Sequence, residues 1–245
     1  MTGSAFNTRQ FELAYTDGIE ANYWYLVRHR LLQTVLDKHV PPGSKILDIG
    51  CGKGLFVSFL RQRAYDIWGV ELAEVEQVAQ AKAFVHTGTH SDTLHGPFRD
   101  SIQVILLLDV LEHQEDPAQF LQTLCTQFPN ATHLLITVPA RQELWSNYDV
   151  FYGHFKRFDI DALNKLNPSQ DTSPLVIRYF FRLLYLPAFL TIHLFKKRKL
   201  ATTPVVNLPN KVIHRLIAAL IMLTDAVLPS RVRGTSLLVL IKLKA

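Results

Sequence analysis

Short apolar runs alternate with longer stretches of helical spacing along the first two thirds of the chain. The apolar runs are too short for helices and too continuous for half-exposed strands, so they predict strands buried on both faces of a sheet. Strands that alternate with helices indicate an α/β fold with a doubly wound, mostly parallel sheet. The predicted strands are residues 45–49, 66–70, 83–85, 102–108 and 132–138, and the predicted helices are 20–40, 55–62, 72–82 and 117–128.

Two further apolar runs, 175–181 and 235–243, predict the last two strands and bring the sheet to seven. Between them lie apolar stretches that basic residues interrupt, and these predict helices inserted before the last strand. The predicted organisation is an N-terminal helical segment (1–44), an α/β core (45–174), and C-terminal strands with inserted apolar basic helices (175–245).

Charge is distributed unevenly along the 245 residues. Residues 175–245 hold twelve Lys/Arg and a single acid, Asp225, whereas residues 1–174 hold fourteen Lys/Arg and twenty acids. A basic and apolar segment favours contact with an anionic membrane surface. Nucleic acid is the weaker alternative, because the segment is too apolar throughout for a groove-tracking surface. Packing of these helices on the sheet, with a solvated basic rim, is the third interpretation.

The most informative stretch is 45–54, in which an apolar strand runs into Gly50, Gly52 and Gly54 before a helix begins. Glycines at this spacing let a ligand approach bare backbone, because no Cβ is in the way. The position where a dinucleotide fingerprint requires its third glycine is Leu55, which argues against nicotinamide cofactors. The loop therefore predicts a small ligand at the carboxyl end of a parallel sheet.

The sequence Leu-Asp-Ile-Gly-Cys-Gly-Lys-Gly at 47–54 resembles the first motif of the class I S-adenosylmethionine-dependent methyltransferases. The resemblance implies a Rossmann-like methyltransferase fold and S-adenosyl-L-methionine as cofactor. It also implies close approach of the cofactor to the loop, with an acceptor for its ammonium group. The cofactor-binding residues carried over from this motif are Asp48, Gly50, Cys51, Gly52 and Gly54.

Glu71 ends the second predicted strand, where a carboxylate can accept both ribose hydroxyls of a nucleoside. The matching residue of these methyltransferases has that role, and a solvated loop acid is the alternative. Asp92 follows the third strand, where the family often places an acid near the adenine amino group.

After the fourth strand, residues 109–113 read Asp-Val-Leu-Glu-His, which resembles the motif of the quinone-biosynthesis O-methyltransferases. The resemblance implies cofactor contact at Asp109 and Val110, and it places His113 toward the substrate. An imidazole titrates near neutrality, so His113 is a candidate general base. A structural role for Glu112 and His113 in bracing the loop is the alternative.

Two more segments resemble one bacterial branch of these enzymes. Residues 22–28 partly match an aromatic N-terminal helix, which implies a lid over the cofactor with Arg28 on its methionine carboxylate. Packing of this helix on the core is the alternative. Residues 144–158 resemble the loop after the fifth strand and make Asp149 and His154 a second acid–base pair, or a structural ion pair. The polar stretch 164–173 departs from the family pattern.

These motifs predict a methyltransferase that acts on a small or lipid-like acceptor, with oxygen or carbon as the methylated atom. A non-catalytic S-adenosylmethionine-binding scaffold or sensor is one alternative, and an NAD-dependent oxidoreductase is another. The cysteines and histidines show no metal-ligand spacing, so no metal site is predicted. Residues 1–11 show no leader pattern, which predicts a cytoplasmic protein, with association at a membrane as the further expectation.

Overall fold

The computed structural model describes residues 6–168 and 174–243 of the chain. Residues 169–173 of the polar stretch that departs from the family pattern lie outside the described part. Within the described residues, seven strands form one sheet in the order β3-β2-β1-β4-β5-β7-β6. The strands are β1 (Ile46–Ile49), β2 (Ile67–Val70), β3 (Val85–His86), β4 (Val104–Leu108), β5 (His133–Pro139), β6 (Val176–Phe180) and β7 (Ser236–Lys242).

Nine α-helices accompany these strands in the described residues. They are α1 (Thr8–Ala14), α2 (Tyr23–His39), α3 (Leu55–Arg61), α4 (Gly96–Ser101), α5 (Pro117–Gln127), α6 (Asn147–Phe151), α7 (Ile160–Lys165), α8 (Tyr185–Phe195) and α9 (Leu208–Val227). Several begin where a side chain satisfies the free N–H groups of the first turn, as Asn22 does for α2 and Asp116 for α5.

Strand order reverses between β1 and β4, which are parallel neighbours at the centre of the sheet. β1 also pairs in parallel with β2, so that Asp48 lies between Gly69 on one side and Leu106 on the other. In open α/β sheets this reversal leaves a crevice at the carboxyl ends of the strands. The glycine loop that follows β1 opens onto that crevice.

The last two predicted strands are confirmed, as is the seven-stranded, mostly parallel sheet. β7 runs antiparallel between β5 and β6, and its residues 236–241 are all buried. Two apolar layers cover the two faces of the sheet. One contains Leu121, Leu124 and Phe128, and the other contains Leu32 and Leu36 of α2 with Ile221 of α9.

The predicted helix at 72–82 is wrong. Residues 72–78 form no helix, and a short 3-10 helix covers Ala79–Phe84. The backbone groups of this segment bond elsewhere, since the Ala73 N–H donates to the Glu71 side chain and the Val78 N–H donates to the Lys53 carbonyl. Bonds to the glycine loop and to Glu71 thus replace the i→i−4 bonds that a helix needs.

The inserted helices α8 and α9 lie between β6 and β7, as predicted. α9 exposes an apolar stripe at steps of three and four residues, here called the α9 stripe: Leu208, Val212, Leu216, Leu220, Leu223 and Val227. Its opposite face packs inward through Ala218, Ile221 and Asp225. On α8, Leu186, Leu190 and Leu194 are also exposed. Among the described residues, no helix combines the length and apolar character required to cross a bilayer.

The N-terminal segment is fastened to the connection between α8 and α9. The Thr202 N–H donates to the Leu13 carbonyl (3.0 Å), and the Val205 N–H donates to the Asp17 carbonyl (3.0 Å). Because the Tyr15 hydroxyl lies against Gly52, these bonds on either side of Tyr15 hold the segment at the glycine loop.

Candidate active site

A cavity of about 520 Å³ lies at the carboxyl ends of β1, β2 and β4. Its volume falls within the range of small-molecule sites. Eight of the predicted site residues line it: Arg28, Gly50, Gly52, Glu71, Asp109, Val110, His113 and His154. The other five predicted residues are outside the lining: Asp48, Cys51, Gly54, Asp92 and Asp149.

The glycine loop needs its glycines because Gly50, Gly52 and Gly54 all have positive φ angles (76°, 57° and 74°). A Cβ on Gly52 would collide with the Tyr15 hydroxyl, and one on Gly50 would meet Val110 at 2.8 Å. Gly54 is structural, since it precedes α3 and its missing Cβ makes room for Ala81. The loop thus presents bare backbone to the cavity at Gly50 and Gly52.

Glu71 is buried at the end of β2. Its Oε2 accepts the Gly52 N–H (2.8 Å), and its Oε1 accepts the Ala73 N–H (3.0 Å). Burial raises the pKa of Glu71, whereas the bonds from Ala73 and Gly52 lower it and offset part of that rise. The carboxylate is therefore held by backbone at the cavity wall, where it can accept hydroxyl groups.

Asp48 lies in the middle of β1 and is 2% exposed. Its Oδ1 has no hydrogen-bond partner among the described residues. Burial raises the pKa of Asp48 to about 8, although Arg28 acts in the opposite direction. A buried acceptor without a partner lowers the free energy of unfolding, and a nearby cationic group of a ligand would offset that loss.

Arg28 is buried, and α2 places it over the end of β4. One of its terminal nitrogens lies 2.9 Å from Asp109 Oδ2 and donates to the Thr137 hydroxyl (2.8 Å). The Trp24 ring lies beneath the guanidinium, 4.6 Å from ring centroid to Cζ. Asp109 has a positive φ of 61° and lines the cavity beside Arg28. The ion pair thus fixes a cation at the cavity wall and joins α2 to the loop after β4.

Aromatic side chains that the sequence motifs did not predict cover the other side of the cavity. Phe11 and Tyr15 stack at 5.7 Å, and Tyr148 and Tyr152 lie 4.5 Å apart between ring centroids. All four line the cavity. Tyr15 has no motif around it, so only the tertiary contact with Gly52 identifies it.

Asp92 is exposed, in a short 3-10 helix after β3. Its neighbours Thr89, His90 and Ser91 line the cavity instead. A role for Asp92 beside the adenine remains a prediction.

Asp149 is fully buried and sits at the centre of a charged cluster. The His154 Nδ1–H donates to its Oδ1 (2.9 Å), and Arg157 donates to both carboxylate oxygens (2.8 and 3.2 Å). Burial alone would raise the pKa of Asp149, but the bonds from His154 and Arg157 outweigh it and lower the pKa to about 2. Asp149 is therefore anionic, and it orients the His154 ring rather than contacting a substrate.

His113 packs edge-on against His154, with ring centroids 4.8 Å apart. Burial and then the neighbouring His154 lower the pKa of His113 to about 4, so that its ring is neutral at pH 7. Glu112 is fully buried, and neither of its carboxylate oxygens has a partner among the described residues. Burial raises the pKa of Glu112 well above its ordinary value, which favours a neutral carboxyl.

The structure also brings together three potential metal ligands that sequence spacing did not reveal. Ligand atoms of Glu112, His113 and His154 all lie within 4.8 Å of one another. They come from two segments about forty residues apart in sequence, so no local motif predicts their meeting.

At its far end the cavity reaches α8. Pro187, Ala188, Thr191 and Ile192 line this end, together with Arg198 from the following connection. The Arg198 guanidinium lies over the Tyr148 ring at 4.4 Å. The cavity thus extends from the glycine loop, past the two histidines, to an apolar helix whose outer face is exposed.

An open α/β sheet of this strand order, with a glycine loop after β1 and an acid at the end of β2, defines a Rossmann-like methyltransferase fold. Residues 21–170 match the family described as "Methyltransferase domain". This chain belongs to that family, and its cofactor is S-adenosyl-L-methionine.

Two sets of relatives accompany this match. A ubiquinone biosynthesis O-methyltransferase of Stutzerimonas stutzeri is 25% identical over 37% of this chain and 43% of that protein. One of Yersinia enterocolitica is 25% identical over 59% of this chain and 67% of that protein. The match thus spans less than half of the first protein's length. A solved S-adenosylmethionine-dependent methyltransferase of Mesorhizobium loti has the same fold, with a TM-score of 0.53 and 14% identity over 92% of this chain and 100% of that chain.

The residues of the cavity fit this cofactor. Glu71 offers a carboxylate for ribose hydroxyls, whereas Asp48 lies outside the lining although its Oδ1 lacks a partner among the described residues. Arg28 supplies a fixed positive charge for a carboxylate. Gly50 and Gly52 leave the backbone accessible between these groups.

Proposed function

We propose that this protein transfers a methyl group from S-adenosylmethionine to a hydroxyl oxygen of an acceptor with an apolar part. The observation that carries the proposal is the His154 ring, which lines the same cavity as the glycine loop and is oriented by the buried Asp149 behind it. The O-methyltransferase names of the relatives support oxygen over carbon as the methylated atom.

When bound, the cofactor supplies an electrophilic methyl group. The protein's contribution is then mainly alignment, because holding two reactants in register removes a large share of the barrier. Glu71 and Arg28 hold the cofactor end of the cavity, with Asp48 buried in β1 two residues before Gly50, and the aromatic side chains of α1, α2 and α6 exclude water from the cavity. The N-terminal segment 1–44 acts as the lid in this proposal.

His154 is the base in this scheme. Its Nδ1–H bond to Asp149 leaves Nε2 as the ring nitrogen that accepts the hydroxyl proton of the acceptor. His113 is neutral at pH 7 and adjoins His154, so it is suited to accept or donate a hydrogen bond to the same acceptor. Asp149 is a positioning residue.

The acceptor's apolar part lies along α8 in this proposal, and α8 and α9 rest on an anionic membrane surface. Two observations support this contact of α8 and α9 with a membrane, here called the membrane dock: the α9 stripe is exposed, and residues 196–199 are all basic. Amphipathic helices with basic rims lie in the membrane interface in this way. An amphiphilic acceptor would then reach the cavity from the membrane.

Isothermal titration with adenosylhomocysteine tests the cofactor site first. We expect saturable binding that Glu71→Ala weakens at least tenfold, because the ribose hydroxyls lose their acceptor. Glu74→Ala is the matched control, since Glu74 is an exposed carboxylate three residues further along the chain. Equal affinity in the wild type and the Glu71→Ala variant would contradict the assignment.

A methyl-transfer assay with a hydroxyquinol that carries an alkyl chain tests the reaction. We expect His154→Gln to lower kcat by about 10²–10⁴ while adenosylhomocysteine affinity stays unchanged. Cofactor binding without turnover on any hydroxyl acceptor would indicate the scaffold alternative. Binding of reduced nicotinamide dinucleotide instead would indicate an oxidoreductase, which the buried Leu55 at the start of α3 disfavours.

A further inference from the structure

A second cavity of about 840 Å³ lies between α2, α3 and α9. It shares no lining residue with the active site. Its lining includes four large apolar side chains, here called the apolar floor: Leu26, Leu55, Phe59 and Met222. These apolar side chains suit a hydrocarbon chain, and polar side chains such as Gln62 and Gln80 line the groove beside them.

Three arginines line this groove: Arg30 of α2, Arg63 just after the end of α3, and Arg215 of α9. All three are exposed, and none makes an ion pair within the described part of the chain. Arg63 lies over the Phe59 ring at 3.7 Å and donates to the Phe59 carbonyl, so its charge is fixed at the groove wall. Glu20 is the single carboxylate in the lining.

The groove adjoins the α9 stripe. On a helix of 3.6 residues per turn, Arg215 and Met222 lie seven residues apart and hence on one side of α9. Arg215 directly precedes Leu216 of the stripe, and Met222 directly precedes Leu223. If the stripe enters the hydrocarbon boundary of a membrane, the arginines lie beside it at the level of the lipid phosphates.

We propose that this groove binds an anionic membrane phospholipid, with its phosphate against Arg30, Arg63 and Arg215 and an acyl chain over the apolar floor. The proposal rests on the membrane dock of the proposed function and gives that dock lipid specificity. Guanidinium groups suit phosphate, because their donors bind two oxygens at once. The apolar floor and the adjoining stripe make a lipid, rather than a free phosphate, the occupant that matches the whole site.

Vesicle co-sedimentation tests this assignment. The probes are vesicles of phosphatidylcholine alone and vesicles of phosphatidylcholine mixed with phosphatidylglycerol. We expect wild type to prefer the anionic vesicles and Arg215→Gln to lose about fivefold in partitioning to them. The triple variant of Arg30→Gln, Arg63→Gln and Arg215→Gln should lose on the order of a hundredfold. Binding to phosphatidylcholine alone should stay unchanged.

Lys38→Gln is the matched control, because Lys38 is an exposed base of α2 outside the groove. An equal loss in this variant would overturn the site in favour of diffuse surface charge. Saturation of the groove by soluble glycerol phosphate, with vesicle binding unchanged, would overturn the lipid as occupant. Failure of wild type to bind any vesicle would overturn both the groove and the dock.

Two readouts separate this proposal from the rest of the proposed function. Adenosylhomocysteine affinity should be the same in wild type and in the triple variant, since the two cavities share no residue. If the triple variant keeps its anionic preference while substitutions in the α9 stripe abolish vesicle binding, the dock stands and the groove assignment is wrong.

Discussion

At the scale of single residues, the buried carboxyl groups of this site differ in whether they have hydrogen-bond partners. Asp48 and Glu112 are buried with oxygens that lack partners, whereas Asp149 is buried with a full set of donors. The unpaired oxygens of Asp48 and Glu112 lower the free energy of unfolding. The hydrogen bonds to Asp149 raise it, because without them a buried ion would lack its partner. The pH dependence of stability should therefore differ in sign between Asp48 and Asp149.

We expect Asp48→Asn to stabilise the unliganded protein at pH 8 by roughly 5 kcal/mol, because each pKa unit between the folded and unfolded states is worth about 1.4 kcal/mol. The native pKa of Asp48 is raised to about 8, so the folded state holds a proton that the unfolded state loses near pH 4. The wild type thus loses stability relative to the variant as pH rises from about 4 to 8. Urea denaturation of both proteins across this range measures the difference. A difference that does not vary with pH would contradict the raised pKa.

Asp149→Asn should destabilise the protein at pH 7 by roughly 3 kcal/mol, because Arg157 stays buried without its counter-charge. The native pKa of Asp149 is lowered to about 2, so its contribution is present above the unfolded pKa near 4 and disappears as pH falls through 2. The gap between wild type and variant should close on acidification.

Urea denaturation at pH 7 and pH 3 measures that gap. Glu143→Gln is its control, since the Arg141–Glu143 pair is partly exposed and should be worth less than about 1 kcal/mol. Similar losses in the two variants would mean that the Asp149 cluster contributes no more than a surface pair.

At the scale of elements, α9 is unusual because its outer face is the more apolar one. Leu216 and Leu220 are 66% and 52% exposed, whereas the inner face places Ala218 and Ile221 on the sheet layer. In a helix that only packs on a core, the apolar stripe points inward. Both faces of α9 therefore carry apolar side chains, one packed against the protein and one exposed.

Substitutions on the two faces of α9 should separate folding from docking. Leu216→Gln with Leu220→Gln should change the free energy of unfolding by less than about 1 kcal/mol and reduce vesicle partitioning more than tenfold. Ile221→Ala should cost about 2–4 kcal/mol of stability and leave vesicle binding intact. Denaturation and co-sedimentation of the same preparations measure both effects, and a stability loss in the outward pair would identify the stripe as a packing surface.

For the whole molecule, the two halves of the chain meet at the cavity. The N-terminal segment is bonded to the α8–α9 connection and also covers the glycine loop through Tyr15. A ligand in the cavity therefore contacts elements from both ends of the sequence, and its binding energy should stabilise the entire fold.

Adenosylhomocysteine at a hundred times its Kd should raise the Tm by about 5–10 °C, because it adds about 2.7 kcal/mol to the folded state of a chain of this size. Scanning calorimetry of wild type and Glu71→Ala checks this, and the variant should show a much smaller rise at the same concentration. A rise with nicotinamide dinucleotide instead would contradict the methyltransferase site.

The sequence by itself determined six of the seven strands in the described residues, the glycine loop and the position of Glu71 at the end of β2, because each rests on local rules; the third strand, predicted at 83–85, is Val85–His86. Buried parallel strands are continuous apolar runs, a loop with positive φ needs glycine, and the residue that ends a strand falls at the ligand edge of the sheet. The helix predicted at 72–82 is wrong for the opposite reason, since the Val78 N–H bonds to the carbonyl of Lys53, a residue that is distant in sequence.

Only the tertiary structure decided which side chains meet. Tyr15 contacts Gly52, Arg28 forms an ion pair with Asp109, and Glu112 lies beside His154. The two residues of each pair come from separate segments of the chain. The same holds for the orientation of α9, because helical spacing gives a stripe but not the side on which the sheet lies. Burial and pairing of side chains depend on these long-range contacts. The pKa values, the buried carboxyl groups without partners and the groove lined by three arginines are therefore properties of the fold rather than of any local pattern.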